Sequence, residues 1–139
     1  MRNYIPLRSR PTTCSEIQLQ GDAFIYLVNT WPVLYGLLFH VPNGGSRGGI
    51  EGKQLEASGV TPGIPDLLLI WGGLHAIEAK TWDKQFENTL GRSKEQIAIH
   101  NKWITQGIKT HMAFSAQQIV DLVLTITGLQ PKDSPLYPF

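Results

Sequence analysis

The chain has 139 residues, of which 42% are hydrophobic and 17% are charged. That composition excludes an intrinsically disordered chain, and the length suits a single domain spanning 1–139, with a core at about 13–128 and an irregular tail at 129–139. The formal net charge of +1 gives little support to a nucleic-acid partner, because non-specific DNA binders usually carry an obvious basic excess.

Two further features bear on the compartment. The single cysteine, Cys14, cannot form an internal disulfide, which suits a reducing environment. No apolar run is long enough to cross a bilayer, and the first residues lack the apolar stretch of a signal peptide. We therefore expect a cytoplasmic protein with no membrane partner.

The chain begins with one predicted helix and one predicted strand. Apolar side chains recur at helical spacing over residues 13–30, and Thr13 and Glu16 match a capping box at the start of that segment. Pro32 ends the helix. The short apolar run at 37–41 then predicts the first strand.

The middle of the chain contains the clearest supersecondary unit. We expect the glycine-rich stretch 44–52 to be a mobile loop and residues 53–58 to form a short helix. Two apolar runs at 66–71 and 74–80 are separated by Gly72-Gly73, a strong signal for a turn between antiparallel strands. The sequence therefore predicts a β-hairpin over 66–80.

The last third alternates helix, strand and helix. Residues 93–106 read as a helix with a capping box formed by Ser93 and Gln96. A strand at 109–114 and an amphipathic helix at 115–127 follow.

Three charged side chains stand out in the predicted hairpin. Asp66 opens its first strand, and Glu78 and Lys80 lie near the end of the second, so all three can meet at one end of the sheet. Glu78 and Lys80 are two residues apart on a strand, so their side chains point to the same face. Carboxylates in an apolar setting repel each other and raise each other's pKa. A divalent cation would relieve that repulsion.

Magnesium is the cation that this set of oxygen atoms suits best. Mg2+ prefers oxygen ligands and usually keeps several waters, so Asp66 and Glu78 with a substrate phosphate suffice for a site. The main-chain carbonyl of Ala79 is a candidate further ligand. Lys80 is then placed to orient an attacking water or to stabilise the transition state of phosphodiester hydrolysis. We expect Mn2+ to be able to substitute.

The same residues resemble a known nuclease superfamily. Pro65-Asp66, followed after a hairpin by Glu78-Ala79-Lys80, is similar to the PD-(D/E)XK motif. Within that superfamily the surrounding sequence resembles the VRR-NUC family, over a region that runs from Glu16 to the last helix. The stretches that carry this resemblance are Gly59 to Leu69, His40 to Gly45 with Arg47, Ile77 to Lys80, and Gln96.

The resemblance implies an α/β fold with a restriction-endonuclease-like core, in which helices flank a mixed four-stranded sheet in the order α-β-β-β-α-β, with an extra C-terminal helix. It implies metal-dependent cleavage of DNA. Small stand-alone members typical of phages are homodimers that act on branched DNA such as four-way (Holliday) junctions, and a phage-encoded member would work in the host cytoplasm.

The resemblance also assigns roles residue by residue. Asp66 and Glu78 match the metal ligands, and Lys80 matches the catalytic lysine. Glu16 matches an acid of the first helix and joins the expected catalytic and metal-binding set. Gln96 matches the glutamine of the helix that follows the catalytic strand.

Several of these residues have a second explanation. Glu16 and Gln96 each occupy the third helical position of a predicted capping box, which would engage their side chains. Arg47, Lys53 and His40 are candidate contacts to nucleic acid, and ordinary solvated side chains are the competing explanation. The four histidines have no spacing that indicates a zinc site.

Three functions remain open at this point. The first is a structure-selective endodeoxyribonuclease, with a general DNA nuclease lacking junction preference as its variant. The second is a non-catalytic nucleic-acid-binding module that retains the fold. The third is an interaction protein with no nucleic-acid role, which would leave the charged cluster unexplained.

Overall fold

A computed structural model describes residues 14–42 and 49–134. Within them lie four α-helices and four β-strands, in the order α1, β1, α2, β2, β3, α3, β4, α4. The helices are Glu16–Thr30 (α1), Gly49–Ala57 (α2), Lys94–Thr105 (α3) and Ala116–Thr127 (α4). The strands are Leu38–His40 (β1), Leu67–Ile70 (β2), Leu74–Ala79 (β3) and Lys109–Ala113 (β4). No helix in the described part of the chain is long and apolar enough to span a membrane.

The strands form one mixed sheet in the order β1-β2-β3-β4. β1 and β3 both run antiparallel to β2, whereas β4 runs parallel to β3. The predicted hairpin is confirmed, with Leu74 paired to Ile70 and a turn in which Gly72 and Gly73 have positive φ angles of 61° and 137°. Glycine reaches such angles without the penalty that a Cβ imposes. The predicted mixed four-stranded sheet flanked by helices is therefore correct.

The hydrophobic core lies on one face of the sheet. Leu67 and Leu69 of β2, together with Ile77 and Ala79 of β3, point to this face and are fully buried. Helices α1 and α4 cover them and pack against each other. Each fully buried Leu or Ile contributes about 1.5–3 kcal/mol to stability. Because side chains alternate along a strand, Ala76 and Glu78 point to the opposite face, where α3 lies.

The N-terminal cap of α1 differs from the prediction. Its capping box is formed by Ser15 and Gln18, with Ser15 Oγ accepting from the Gln18 amide at 3.3 Å and Gln18 Oε1 accepting from the Ser15 amide at 3.0 Å. Glu16 is consequently the first helical residue and not the third. Thr13 lies outside the described residues.

The glycine-rich stretch also differs. Residues 49–52, which we expected to belong to a mobile loop, form the first turn of α2, so this helix begins four residues earlier than predicted. The remainder of the stretch, 44–48, lies outside the described residues. Gly49 and Gly52 have low helix propensity, which is why a pattern dominated by glycine predicts a loop.

The predicted irregular tail begins with an ordered segment. Residues Pro131–Asp133 form a short 3-10 turn. Trp31 Nε1 donates to the carbonyl of Gln130 at 2.9 Å, and Ser134 Oγ donates to the carbonyl of Thr30. These bonds attach the start of the tail to the end of α1.

The turn that leads into β2 packs against the start of α3. Gly63 is buried and has a φ of +90°, and a Cβ at this position would lie 3.0 Å from the main-chain carbon and oxygen of Glu95 and 3.2 Å from the amide nitrogen of Gln96. Glycine thus allows the segment before Asp66 to approach the first turn of α3 closely.

We therefore expect Gly63→Ala to destabilise the protein more than Gly107→Ala. Gly107 has a similar φ of +83°, but a Cβ there would meet nothing within 4 Å. Both substitutions incur the backbone penalty of about 1–2 kcal/mol, whereas only Gly63→Ala adds a steric conflict of about 1–3 kcal/mol. Urea denaturation measures both, and equal losses would contradict the close-packing argument.

Candidate active site

The sheet register brings Asp66 and Glu78 together. Leu67 pairs with Ile77 across the β2–β3 hairpin, so the residue before Leu67 stands opposite the residue after Ile77. Asp66 Oδ2 accepts a hydrogen bond of 3.0 Å from the main-chain amide of Ala79, and the Asp66 and Glu78 carboxyl groups lie close enough for each to shift the pKa of the other. The two predicted carboxylates therefore form one pair, in which Glu78 is buried and Asp66 is half-buried.

Lys80 joins this pair at the end of β3. Its amide donates to the carbonyl of Ala113 at 3.0 Å, which extends the β3–β4 pairing by one residue. The side chain is only 8% exposed, and its positive charge lowers the pKa of Glu78. A lysine buried beside two carboxylates is electrostatically matched to them.

Gln96 connects Lys80 to Glu78. Its Oε1 accepts from Lys80 Nζ at 3.0 Å, while its Nε2 donates to Glu78 Oε1 at 3.1 Å. The same Oε1 accepts from the main-chain amide of Ser93 at 2.9 Å, which completes the predicted capping box of α3. An amide oxygen has two lone pairs, so the capping role and the role in the charged cluster are compatible.

Burial of the carboxylate pair changes its protonation. Desolvation is the largest cause that raises the pKa of Asp66, to about 8, and the neighbouring Glu78 adds to it, while the Ala79 amide and His40 act in the opposite direction. The pKa of Glu78 is also raised, mainly by desolvation. With no cation bound, the pair therefore retains a proton at neutral pH.

Glu16 lies at the N-terminus of α1, near this pair. Because Ser15 and Gln18 form the capping box, the Glu16 carboxylate is not engaged in it. Its negative charge contributes to raising the pKa of Glu78. The structure therefore removes the competing structural role that the sequence suggested for Glu16.

The three predicted nucleic-acid contacts have different positions. His40 Nδ1 lies 2.7 Å from the main-chain carbonyl of Asp66, so this exposed residue of β1 borders the cluster. Lys53 is exposed on α2. Arg47 lies outside the described residues.

One residue of the cluster was missed by the sequence analysis. His100 is fully buried, and its Nε2 lies 3.5 Å from Glu78 Oε1. Arg92 Nη1 lies 3.4 Å from the other ring nitrogen, Nδ1. A signal was present, because His100 follows Gln96 by four residues and therefore shares its face of α3.

A divalent ion would find a suitable set of oxygen atoms here. In the described ranges, no three side chains of His, Cys, Asp or Glu lie close enough together to hold a metal ion by themselves. Mg2+ needs only one or two protein carboxylates, with waters and substrate oxygens completing its octahedron. Asp66 and Glu78 fit that requirement, and a bound cation would oppose the burial and mutual repulsion that raise their pKa values.

Comparison with solved structures places the chain in a known fold. A structure titled "VRR_NUC domain protein" superposes with a TM-score of 0.62, covering 82% of this chain and 88% of that one at 14% sequence identity. This chain has the VRR_NUC fold. The sequence itself matches no protein-family model and no curated protein. At 14% identity the comparison confirms the resemblance to VRR-NUC proteins at the level of the fold.

The raised pKa of Asp66 predicts how stability depends on pH. The folded-state pKa of Asp66, about 8, exceeds the ordinary aspartate value of 3.8. Between these two values the native state holds a proton that the unfolded chain has lost, so stability falls as the pH rises through that range. In the presence of a chelator, Asp66→Asn should abolish this pH-dependent loss of stability. In mildly alkaline buffer its melting temperature should exceed that of the wild type by on the order of 5 °C.

Melting curves from mildly acidic to mildly alkaline pH check this expectation. Asp121→Asn, at an exposed aspartate of α4, is the matched control and should follow the wild type. Identical pH dependence in Asp66→Asn and the wild type would show that Asp66 is ionised in the native state.

Proposed function

We propose that this protein is a divalent-metal-dependent nuclease that hydrolyses phosphodiester bonds in DNA. The observation that carries the proposal is the connected cluster of Asp66, Glu78, Lys80 and Gln96, in which one amide side chain links the lysine to a buried carboxylate. The VRR_NUC fold of the chain supports the same reaction, since the name of its structural neighbour denotes a nuclease domain.

The carboxylates of Asp66 and Glu78 hold the ion in this proposal. The Ala79 main-chain carbonyl and Glu16 are the further oxygen donors nearby. Mg2+ is the expected ion, and Mn2+ accepts the same oxygen ligands. When bound, such an ion supplies a water of lowered pKa and offsets negative charge on the phosphorus.

Lys80 acts on the reacting atoms. Its ammonium donates one hydrogen bond to the Gln96 oxygen at 3.0 Å, and an ammonium group has two further protons with which to meet a water or a phosphate. There it orients the attacking water or stabilises the charge that develops on the phosphate. Gln96 bonds to both Lys80 and Glu78. It therefore holds the ammonium and the carboxylate at a fixed separation from one turnover to the next.

Branched DNA is the substrate class that we propose, with four-way junctions as its leading example. His40 borders the carboxylate pair through the Asp66 carbonyl, where it can meet a phosphate that approaches the site. Lys53 and Arg47 supply further cations for the DNA backbone. A domain of this size covers only one strand of a junction, so we propose a homodimer with two symmetric sites.

The cleavage test compares the wild type with Asp66→Asn and Lys80→Ala in Mg2+ and in Mn2+. We expect each variant to lose activity by about 10²-fold or more, because Asp66→Asn weakens a ligand of the ion and Lys80→Ala removes a cation that stabilises charge on the phosphate. Lys102→Ala, at an exposed lysine of the same helix as Gln96, is the control and should cut at the wild-type rate.

Matched single-stranded, duplex, flap and four-way-junction DNAs separate the possible outcomes. Faster cutting of junctions supports structure selectivity, whereas equal cutting of all four indicates a general nuclease. DNA binding without cleavage in either metal would contradict the enzyme and favour a binding module. Failure to bind any of these DNAs at low salt would favour an interaction protein.

The homodimer has its own test. Light scattering at the protein concentration of the cleavage assay should give twice the 15.5 kDa mass of the chain. Two symmetric sites also predict paired incisions in a junction, one in each of two strands. A monomeric mass at that concentration would remove the dimer from the proposal.

A further inference from the structure

His100 is a fully buried histidine whose second nitrogen has no hydrogen-bond partner. The residue is 0% exposed. Its Nε2 atom makes no hydrogen bond and lies 3.5 Å from Glu78 Oε1. Buried polar nitrogens are normally paired, because an unpaired one costs about 1–3 kcal/mol. Packing alone therefore does not explain why a histidine is buried at position 100.

Arg92 determines which ring nitrogen carries the proton. A guanidinium can only donate, so the His100 Nδ1 atom, 3.4 Å from Arg92 Nη1, must be the acceptor. An imidazole ring carries at least one proton. Because Nδ1 accepts from Arg92, that proton is on Nε2, which lies 3.5 Å from Glu78 Oε1.

Arg92 is itself held in place by its loop. Its Nε donates to the carbonyl of Thr89 at 3.1 Å. Leu90 and Gly91, between these two residues, both have positive φ angles, of 56° and 75°. A non-glycine residue with positive φ is uncommon and costs energy, so the surrounding structure maintains this turn against its local preference.

We propose that His100 is a positioning residue for Glu78, with its tautomer set by Arg92. Gln96 Nε2 already donates to Glu78 Oε1 at 3.1 Å, and His100 Nε2 lies 3.5 Å from that same oxygen. When a divalent ion is bound, these two donors from one face of α3 would hold Oε1 and leave Oε2 to bind the ion. This inference rests on the proposed metal-dependent function.

The role resembles that of outer-shell groups in other metal sites, which orient a ligand without touching the metal. Removing such a group typically weakens metal affinity by about 10–100-fold. The separation of 3.5 Å is longer than a formed hydrogen bond, so we expect the contact to shorten when Glu78 becomes fully ionised on binding a cation.

The test measures Mn2+ affinity by calorimetry, which needs no DNA and no cleavage. His100→Leu introduces an apolar side chain of similar size and removes the hydrogen-bond donor. It should weaken Mn2+ binding by about 10–100-fold. His100→Gln retains an amide donor and should stay within a few-fold of the wild type. His111→Leu, at a partly buried histidine on the other face of the sheet, is the control.

A second measurement addresses the tautomer. Imidazole nitrogen NMR of the metal-free wild type should show His100 protonated on Nε2, and Arg92→Met should convert this to a mixture of tautomers with weaker Mn2+ binding. Arg92 is only half-buried, so this variant keeps the proposal testable if His100→Leu does not fold.

The outcomes separate the two proposals. Wild-type Mn2+ affinity in folded His100→Leu would overturn the role of His100, as would a loss in His100→Gln equal to that in His100→Leu. A proton on Nδ1 in the wild type would overturn the role of Arg92. Mn2+ binding that depends on His100 without any DNA cleavage would leave the positioning role intact and contradict the nuclease.

Discussion

The site depends on an unfavourable interaction, the burial of Asp66 beside Glu78. Desolvation and mutual repulsion both disfavour two negative charges at this position, and the pKa of Asp66 rises to about 8 as a result. Three surrounding groups offset part of this cost. The Ala79 amide and Lys80 supply hydrogen bonding and positive charge, and Gln96 donates to Glu78. The remaining imbalance is met by a proton in the metal-free state, which a divalent cation would replace.

Helix α3 is joined to this cluster at its first turn, where folding and the site use the same atoms. Gln96 caps the helix through Ser93 and also links Lys80 with Glu78. Gly63 allows the segment that precedes Asp66 to lie against the same turn. The first turn of α3 thus contacts both the segment that precedes Asp66 and Glu78 of β3, so a disturbance of this turn would alter the geometry of the charged groups as well as stability.

Much of the architecture could be predicted because it follows from local patterns. The Gly72-Gly73 turn set the hairpin register, and that register brings Asp66 and Glu78 together. The cap of α1 was misplaced because Thr13/Glu16 and Ser15/Gln18 both satisfy the capping-box spacing, and only tertiary packing selects between them. His100 was missed because its partners, Arg92 and Glu78, come from a turn and from the sheet. A helical pattern identifies the face on which a residue lies but not the groups that it meets there.

The cap at Ser15 also changes how Glu16 should be understood. As the first residue of α1, Glu16 lies where the partial positive charge of the helix N-terminus stabilises an anion. Its charge nevertheless raises the pKa of Glu78, so the helix terminus supports a carboxylate that makes the neighbouring pair harder to ionise. Ionisation of Glu16, Asp66 and Glu78 together would leave Lys80 as the cation directly bonded into the cluster. Three ionised carboxylates would repel an approaching phosphate unless further positive charge enters the site. A divalent cation and the cationic side chains proposed for DNA binding would both supply that charge, so they belong to the same mechanism.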